Sequence, residues 1–203
     1  MKILVNISGA SGVEMGFYLL KALEDYTNLD DELFAVCSKG AKICFCAEND
    51  NFQNPNSLTN DEFTAFCKEK FALKKTHFFD DENLASAVSS GSFGIDKTII
   101  APCSINTLAQ IKQGISDTLI TRSAAVALKE KKTLILAVRE MPFSTLVLKQ
   151  MFKLSKMGVI IAPPVFASYA GKANLEDLKA FIIGKWLDLL EIKHDLYKKW
   201  QKM

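Results

Sequence analysis

Short apolar runs alternate with longer amphipathic stretches along most of the chain. The runs are four to six residues long and rich in Ile, Val and Leu, which is typical of buried strands, and they lie at 3–7, 33–37, 98–101, 133–138 and 159–162. The amphipathic stretches predict helices at 12–25, 39–47, 104–112, 117–130, 144–157 and 174–190. Gly114 and Gly158 stand where a helix end favours positive φ. The alternation predicts an α/β fold with a doubly wound parallel sheet, a flavodoxin-like or Rossmann-like three-layer sandwich.

Two segments fall outside this alternation. Residues 49–75 are rich in Asn and acidic residues with scattered Phe, and they predict an insertion between the second and third predicted strands. The basic run at about 191–203 carries Tyr197 and Trp200 and predicts a C-terminal helical arm, as an extra helix or as a cover over a neighbouring subunit. No linker composition divides the chain, so residues 1–203 are predicted to form a single domain.

The charge balance and the cysteine content exclude several classes of protein. With 25 basic against 23 acidic residues the formal net charge is +2, too balanced for the broad positive surface of a nonspecific nucleic-acid binder. Five cysteines in 203 residues are too few for a disulfide-stapled secreted scaffold and indicate a cytoplasmic protein. No apolar run approaches the roughly 18 residues that cross a bilayer, so neither export nor a membrane span is predicted.

Arginine is scarce, which draws attention to the two positions that have it. Of the 25 basic residues, all but Arg122 and Arg139 are lysines. Guanidinium binds a phosphate or carboxylate through two parallel hydrogen bonds, whereas an ammonium acts as a point charge. Arg139 and Glu140 directly follow the fourth predicted strand, where an open α/β sheet places functional groups, and we interpret them as site residues. Arg122 and Lys129 fall on one helix face, as a pair of ligand-binding cations or as a solvated stripe.

Small residues and hydroxyls follow the other predicted strands. The first strand leads into the loop Ser8-Gly9-Ala10-Ser11-Gly12, whose backbone N–H groups and hydroxyls suit an anion or a flat ring, or which is only a tight turn. The loop is neither Gly-x-Gly-x-x-Gly nor a P-loop, because no Gly-Lys-Ser/Thr follows it. Ser38 and Ser104 follow the second and third predicted strands, and N-capping of the next helix explains each of them as well as ligand binding does.

Metal and cysteine chemistry have little support. Cys44 and Cys46 have the wrong spacing for a zinc knuckle, and the only histidines, His77 and His194, are far apart in sequence. Cys103 has no histidine near it in sequence and is interpreted as a small buried hydrophobic residue. We therefore predict no metal site.

Taken in order, these loops resemble the flavin prenyltransferase family, whose members accompany prenylated-flavin-dependent decarboxylases of the ubiquinone and phenylacrylic acid type. The resemblance covers nearly the whole chain. It is carried by Ile7-Ser8-Gly9-Ala10-Ser11-Gly12, Ser38-Lys39, Glu48, Ser89-Ser90-Gly91-Ser92-Phe93, Ala101-Pro102-Cys103-Ser104, Arg122, Lys129-Glu130, Arg139-Glu140-Met141-Pro142, Pro163-Pro164 and Tyr169. A single loop of this kind is weak evidence, but the ordered series is specific.

The resemblance implies a reaction, a site and an assembly. The dimethylallyl group of dimethylallyl monophosphate would be joined to N5 and C6 of reduced FMN without a metal. The implied FMN-binding residues are Gly9, Ala10, Ser11, Ser38, Ser104 and Arg122. The implied substrate-binding residues are Ser90, Lys129, Arg139, Glu140, Tyr169 and Lys185. The implied catalytic residues are Glu48, Glu140, Ser11 and Lys129.

The same resemblance implies a homododecamer with sites between subunits, and a prenylated-FMN-dependent decarboxylase that receives the product. The chain departs from the family pattern at Lys185, where arginine is usual, and at Ala170, where histidine is common. The lysine places a point charge where the family has a planar fork.

Two other functions fit part of the sequence. A flavin-dependent cysteine decarboxylase has a similar segment at 101–107, but it carries Pro-x-Met-Asn where this chain has Arg139-Glu140-Met141-Pro142. A non-catalytic FMN-binding electron carrier is commonly acidic and needs no second phosphate site. The near-neutral charge and the pair Lys129 and Arg139 count against that carrier.

Overall fold

A computed structural model describes residues 1–49, 58–167 and 174–198 of the chain. Its strands are β1 (Lys2–Ile7), β2 (Glu32–Cys37), β3 (His77–Asp80), β4 (Lys97–Cys103), β5 (Thr133–Val138) and β6 (Ile160–Ile161). They form one parallel sheet in the order β3-β2-β1-β4-β5-β6. The predicted α/β class with a doubly wound parallel sheet is confirmed.

Helices cover both faces of the sheet. They are α1 (Glu14–Tyr26), α2 (Lys39–Glu48), α3 (Asn60–Lys70), α4 (Ile105–Gln113), α5 (Leu119–Lys129), α6 (Thr145–Lys156) and α7 (Leu175–Leu189). Buried residues of α1, α2, α3 and α7 form one hydrophobic cluster with the sheet, and those of α4, α5 and α6 form a second on the opposite face. No helix in the described ranges is long and apolar enough to cross a membrane.

The five predicted strands are present, and in the sheet they lie in the order of a flavodoxin-like fold. The additional strand, β3, extends the sheet beyond β2 and completes a Rossmann-like order of six. Gly114 and Gly158 end helices with φ of 75° and 90°, as predicted. The ends of the helices differ from the predicted ends by only one to a few residues.

The predicted insertion at 49–75 is wrong in part, because its described second half builds the fold. A capping box between Thr59 and Glu62 begins α3, and Phe63 packs edge-on against Phe17 and Phe45 in the core. The chain then enters β3, which pairs with β2. The apolar positions of α3 are too few among its charged residues to give a helical period, which is why the pattern missed it.

The link between α3 and β3 is held by one buried carboxylate. Glu24 on α1 accepts hydrogen bonds from the backbone N–H groups of Lys74, Lys75 and Thr76 at 2.8–2.9 Å, and from the Thr76 hydroxyl at 2.7 Å. Burial alone raises the pKa of the Glu24 carboxyl, but these donors outweigh burial and hold its pKa below the usual value. The carboxylate therefore fixes the start of β3 to α1.

The C-terminal segment folds back onto the same chain. Lys97 at the start of β4 donates to the Leu190 carbonyl at 2.8 Å and pairs with Glu191, while Tyr26 at the end of α1 donates to Asp195. The helical arm predicted at about 191–203 is not helical over 191–198, the part that the structure describes. Positive φ at Glu191 marks the end of helical backbone here.

Replacing Glu24 by alanine is expected to lower the free energy of unfolding by about 2–4 kcal/mol, because three backbone N–H groups lose a charged acceptor in a buried place. Denaturant unfolding at neutral pH measures this. The matched control is Asp25→Ala, which removes an exposed carboxylate paired with Lys21 and should cost under about 0.5 kcal/mol.

The loss should also depend on pH. Because the folded-state pKa of Glu24 lies below its unfolded value, its contribution is complete above the unfolded pKa of roughly 4.3 and is lost as pH falls through the folded pKa. The stability difference between the wild type and Glu24→Ala should therefore shrink in acid. A difference that stays constant from pH 7 to below the unfolded pKa would contradict this account.

Candidate functional site

The carboxyl ends of the strands carry the starts of four helices. Ser38 Oγ accepts the Ala41 N–H at 3.0 Å and begins α2, and Ser104 Oγ accepts the Thr107 N–H at 3.1 Å and begins α4. Ser144 caps α6 in the same way. The N-capping interpretation of Ser38 and Ser104 is confirmed. Several partly unpaired N–H groups and positive helix ends therefore face this edge of the sheet, which suits it to an anionic ligand.

The loops after β1, β2 and β4 are tied together. Ser8 Oγ donates to the Pro102 carbonyl at 2.9 Å and accepts the Ser104 N–H at 2.8 Å. A Cβ on Gly9 would lie 2.7 Å from the Gly40 carbonyl carbon, so the loops after β1 and β2 touch backbone to backbone. Glycine at these two positions therefore allows the backbones of the two loops to approach closely, independently of any ligand.

Glu48 occupies the start of α1. Its carboxylate accepts the Gly12 N–H at 2.7 Å and the Val13 N–H at 3.2 Å, from the last turn of α2. Gly12 has φ of 84°, a conformation that favours glycine. The end of α1 therefore already holds an anion that belongs to the chain, and Ser11 beside it is exposed.

Arg139 and Glu140 leave the carboxyl end of β5. The Arg139 N–H donates to the Cys103 carbonyl at 3.0 Å, which continues the pairing of β5 with β4, and the Arg139 residue is exposed. Glu140 Oε1 accepts the Met141 N–H at 3.0 Å. These two side chains thus lie at the same edge as Ser38, Ser104 and Glu48.

Lys129 and Ser90 lie at the opposite, amino edge. Lys129 ends α5 and pairs with Glu130, four residues or fewer before β5 begins. The Cβ position of Gly91 is 2.8 Å from Lys129 Nζ, and the neighbouring Ser90 Oγ lies 2.9 Å from Ser92 Oγ. The ring of Phe93 lies under the ammonium of Lys2 at the start of β1, with Lys2 Nζ 4.0 Å from the ring centre.

The pairing of Lys129 with Glu130 has an electrostatic consequence. The adjacent ammonium holds the pKa of the exposed Glu130 carboxyl below its usual value through a hydrogen bond and through charge. Lys129 is half exposed, with 52% of its side-chain surface accessible. An incoming anion can therefore reach this ammonium, but it has to compete with Glu130.

Arg122 lies between the two edges. Its Nε donates to the Ser89 carbonyl at 3.0 Å, which uses one of five N–H groups. Asp81 sets the position of this helix, since it accepts the Ile120 N–H at 2.9 Å through Oδ1 and the Leu119 N–H at 2.8 Å through its carbonyl. Burial raises the pKa of the Asp81 carboxyl.

Asp81 is a residue that the sequence analysis missed. The sequence feature that points to it is an acidic residue shortly after the apolar pair Phe78 and Phe79. Such a pattern indicates the end of a strand followed by a residue that caps a helix. That signal depends on finding β3 first. Asp81 acts on the site by holding the helix that carries Arg122.

The predicted site residues therefore do not meet within one chain. The six residues of β5 separate Lys129 from Arg139, and a strand of that length spans about 17 Å between its end residues at 3.3 Å per residue. Gly9, Ala10, Ser11, Ser38, Glu48, Ser104, Arg139 and Glu140 form a carboxyl-edge group, and Ser90 and Lys129 form an amino-edge group. One chain therefore places the predicted residues in two separate groups.

Two further predicted residues stand apart. Lys185 is exposed near the C-terminal end of α7, with Nζ 3.8 Å from Asp188 Oδ2. Tyr169, like Ala170, lies outside the described residues. Where Tyr169 acts is therefore still a prediction.

Cys103 is fully buried at the end of β4, and burial raises the pKa of its thiol far above the usual value. A thiolate nucleophile is disfavoured there, which agrees with its interpretation as a core residue. Over the described ranges, no three His, Cys, Asp or Glu side chains come close enough to hold a metal ion.

A cleft of about 280 Å³ opens beyond the carboxyl ends of β2 and β3. It is lined by residues of α2, α3 and β3, including Lys42, Asp61, Lys68 and Asp80, and of the predicted site residues it includes Ser38. Both signs of charge line the cleft, so its walls do not select an anion.

The chain is similar to known flavin enzymes along its whole length. A model of the Flavoprotein family matches residues 1–187. The flavin prenyltransferase UbiX of Campylobacter jejuni is 57% identical over 201 residues, which are 99% of each chain. The crystal structure of AnUbiX (PadA1) in complex with FMN and dimethylallyl pyrophosphate is 33% identical, with a TM-score of 0.84 over 100% of this chain and 98% of that one.

A second solved structure, the dodecameric FMN-dependent UbiX-like decarboxylase from Escherichia coli O157:H7, is 34% identical, with a TM-score of 0.85 and 100% of both chains covered. The FMN-dependent cysteine decarboxylase TvaF is only 17% identical, with a TM-score of 0.58 over 81% of this chain and 90% of its own. At that identity the likeness to TvaF is one of fold.

Replacing Gly9 by alanine is expected to destabilise the protein by about 1–3 kcal/mol, because the new methyl would meet the Gly40 backbone at 2.7 Å and neither loop can yield alone. FMN affinity should fall as well, because the loops after β1 and β2 would separate. Chemical denaturation and a flavin fluorescence titration measure the two effects. Gly40→Ala is the graded control, since its nearest neighbour is at 3.3 Å, and an equal loss in both variants would contradict the steric argument.

Proposed function

Since the chain belongs to the Flavoprotein family and, within it, to the flavin prenyltransferases, we propose that it joins the dimethylallyl group of dimethylallyl monophosphate to N5 and C6 of reduced FMN. The observation that carries the proposal is the 57% identity to a flavin prenyltransferase over 99% of both chains. The complex of a full-length structural relative with FMN and dimethylallyl pyrophosphate supports the two ligand classes.

The carboxyl edge fits a flavin mononucleotide. Gly9 and Gly40 bring two loops together without side chains between them, which leaves a backbone surface that a flat ring can approach closely. We propose that Ala10, Ser11, Ser38 and Ser104 line this place and that Arg122 binds FMN through its remaining N–H groups. Because Glu48 already fills the end of α1, the FMN phosphate is expected to bind at the α2 or α4 end or at Arg122. FMN supplies the nucleophilic ring atoms when it is bound.

The cations of the chain fit the prenyl phosphate. Each phosphomonoester carries about −1.5 to −2 charge at neutral pH. We propose that Lys129, Arg139 and Lys185, together with Tyr169, bind this group, and that Ser90 lines the site. Charge gathers on the phosphate as its bond to the allylic carbon breaks, so cations held there stabilise the transition state more than the bound substrate. Four cations, with Arg122, balance two phosphates without a metal.

Two carboxylates are available for the protons. Backbone N–H groups orient both of them, Glu48 through Gly12 and Val13 and Glu140 through Met141. Attachment at N5 and at C6 each releases a hydrogen of the flavin ring as a proton, and closure at C6 also requires one proton to be added to the double bond of the dimethylallyl group, which gives the net gain of C5H8. A fixed carboxylate within reach can accept such a proton and return it. We propose Glu48 and Glu140 for this role, with Ser11 as the hydroxyl next to Glu48.

We further propose that a complete site forms between subunits of a homo-oligomer, with twelve copies as in the dodecameric relative. The support is the separation of Lys129 from Arg139 by the length of β5, which one chain cannot close. A cytoplasmic prenylated-FMN-dependent decarboxylase is the proposed recipient of the product.

Incubation with reduced FMN and dimethylallyl monophosphate is expected to yield a flavin heavier by one C5H8 unit, detected by mass spectrometry of the extracted cofactor. Dimethylallyl diphosphate in a parallel incubation tests the preference for the monophosphate. A chelator should change neither the FMN affinity nor the yield, because the proposed phosphate contacts are side-chain cations and backbone N–H groups. An unmodified flavin in both incubations would remove the proposed function.

Alanine at Lys129 or Arg139 should reduce kcat/KM for the prenyl phosphate about ten- to a hundredfold while FMN still binds, because a hydrogen bond to a charged group contributes about 1.5–3 kcal/mol. Mixing the two variants within one oligomer should restore activity. Random mixing re-forms about one quarter of the sites, those that take an intact carboxyl edge from one subunit and an intact amino edge from another.

Subunit exchange is checked by separating mixed oligomers with two different affinity tags. The matched control mixes Glu140→Ala with Arg139→Ala. Both substitutions lie on the carboxyl edge, so no subunit in this mixture has an intact carboxyl edge. A site shared between subunits would be contradicted if activity recovers in this control. It would also be contradicted if activity does not recover when Lys129→Ala is mixed with Arg139→Ala.

A further inference from the structure

Three side chains beside Lys185 form a polar cluster that the proposed reaction does not use. They are Asp188 on α7 and His194 and Tyr197 in the C-terminal segment 191–198. Asp188 Oδ1 lies 3.2 Å from His194 Nε2, and the Tyr197 hydroxyl donates to Asp188 Oδ2. Both carboxylate oxygens therefore have a partner from the returning segment.

The cluster is held rigidly. The His194 side chain is buried, and its Nδ1 accepts the Leu196 N–H at 3.2 Å, which makes Nε2 the protonated nitrogen that donates to Asp188. The Tyr197 ring stacks edge-on against Phe181, with ring centres 5.0 Å apart. Any Cβ at Gly184 would lie 2.8 Å from His194 Cε1, so a glycine is needed on α7 for the two rings to settle against it.

Lys185 makes only a long ion pair with this cluster. Its ammonium is 3.8 Å from Asp188 Oδ2, within ion-pair range but beyond hydrogen-bond length, and 6.0 Å from the centre of the Tyr197 ring. The Lys185 side chain is half exposed, whereas Asp188 is three-quarters covered. At a spacing of i, i+3 on one helix, a lysine and an aspartate normally pair directly.

We propose that Tyr197 is a positioning residue: by occupying Asp188 Oδ2 it prevents that carboxylate from closing onto Lys185, and so keeps the ammonium available for the prenyl phosphate. This inference rests on the proposed function, in which Lys185 contacts that phosphate. A lysine needs such a device more than an arginine does, because its ammonium has no planar fork to fix its direction.

The test replaces Tyr197 by phenylalanine, which keeps the ring under Lys185 and removes the hydroxyl alone. Oδ2 then pairs with Lys185, and the phosphate has to displace an exposed ion pair. The Kd for dimethylallyl monophosphate, measured by calorimetry with oxidised FMN so that no turnover occurs, should rise about two- to fivefold, the range that such a pair supports. KM should rise equally, with kcat little changed.

Two variants separate this from general damage. Tyr26→Phe is the matched control, because its hydroxyl also donates to an aspartate of the same segment, Asp195, away from Lys185, and it should leave the Kd unchanged. Asp188→Asn in the Tyr197→Phe background removes the competing charge and should return the Kd to the wild-type value. A Kd that is unchanged in Tyr197→Phe, or that stays high in the double variant, overturns the proposal.

Lys185→Ala distinguishes this inference from the proposed function. If the wild type makes no prenylated flavin, the proposed function fails and the inference falls with it. If the wild type is active and Lys185→Ala binds the prenyl phosphate equally well, the inference and the assignment of Lys185 are wrong, whereas the proposed reaction stands. If the melting temperature shows that Tyr197→Phe does not fold, the single variant Asp188→Asn provides the test. The proposal expects its Kd for dimethylallyl monophosphate to be no higher than that of the wild type, and a higher Kd would overturn the proposal.

Discussion

Strand β1 is the constraint on which the candidate site depends. It pairs in parallel with β2 on one side and with β4 on the other, and its residues from Ile3 to Ile7 are fully buried. The chain leaves β1 for α1 on one face of the sheet and leaves β4 for α4 on the other. The two loops therefore lead to opposite faces of the sheet, and in an open α/β sheet this change of face is where ligands bind. Ser8 joins the two loops, since it bonds to Pro102 and Ser104 of the β4 loop.

The direction of the chain through this sheet separates the functional groups. In a parallel sheet each crossover starts at the carboxyl end of one strand and finishes at the amino end of the next. Ser38 and Ser104 directly follow β2 and β4 and so lie at the carboxyl edge, whereas Lys129 ends the last helix before β5 and so lies at the amino edge. No side chain is long enough to reach from one edge of the sheet to the other. Within one chain these groups are thus too far apart to contact a single phosphate.

Burial explains which parts of the fold were predictable. Strands covered on both faces are continuous apolar runs, so β1, β2, β4 and β5 were recognisable, and Gly114 and Gly158 marked helix ends through their required φ. The edge strand β6 is only half-buried, but it lies within the apolar run at 159–162. The edge strand β3 was not recognisable, because it has four residues and its ends, His77 and Asp80, are exposed. The failure to find β3 hid Asp81 as well.

The individual site residues were predictable from local patterns and from the family resemblance, but their arrangement was not. Chain order says nothing about distance unless the direction of each helix is followed. Arg122 and Lys129 share a helix face as predicted, yet the helix carries Lys129 roughly 10 Å further from the carboxyl edge, at 1.5 Å per residue. The same reasoning places a lysine at the end of the last helix before a strand on the amino side, and it requires no homologue.

Both lysines proposed for the prenyl phosphate have an acidic neighbour on the same helix end, Glu130 beside Lys129 and Asp188 beside Lys185. A lone ammonium on a flexible stem loses much rotational freedom when it binds an anion, and a nearby carboxylate reduces that loss by holding the stem in advance. The same carboxylate weakens the attraction for the anion, so the arrangement works only if the acid is restrained. Glu130 pairs closely with Lys129 on an exposed surface, whereas Asp188 lies 3.8 Å from Lys185 and also pairs with a tyrosine and a buried histidine. Of the two acids Asp188 therefore has the additional partners, and of the two lysines Lys185 has the longer ion pair.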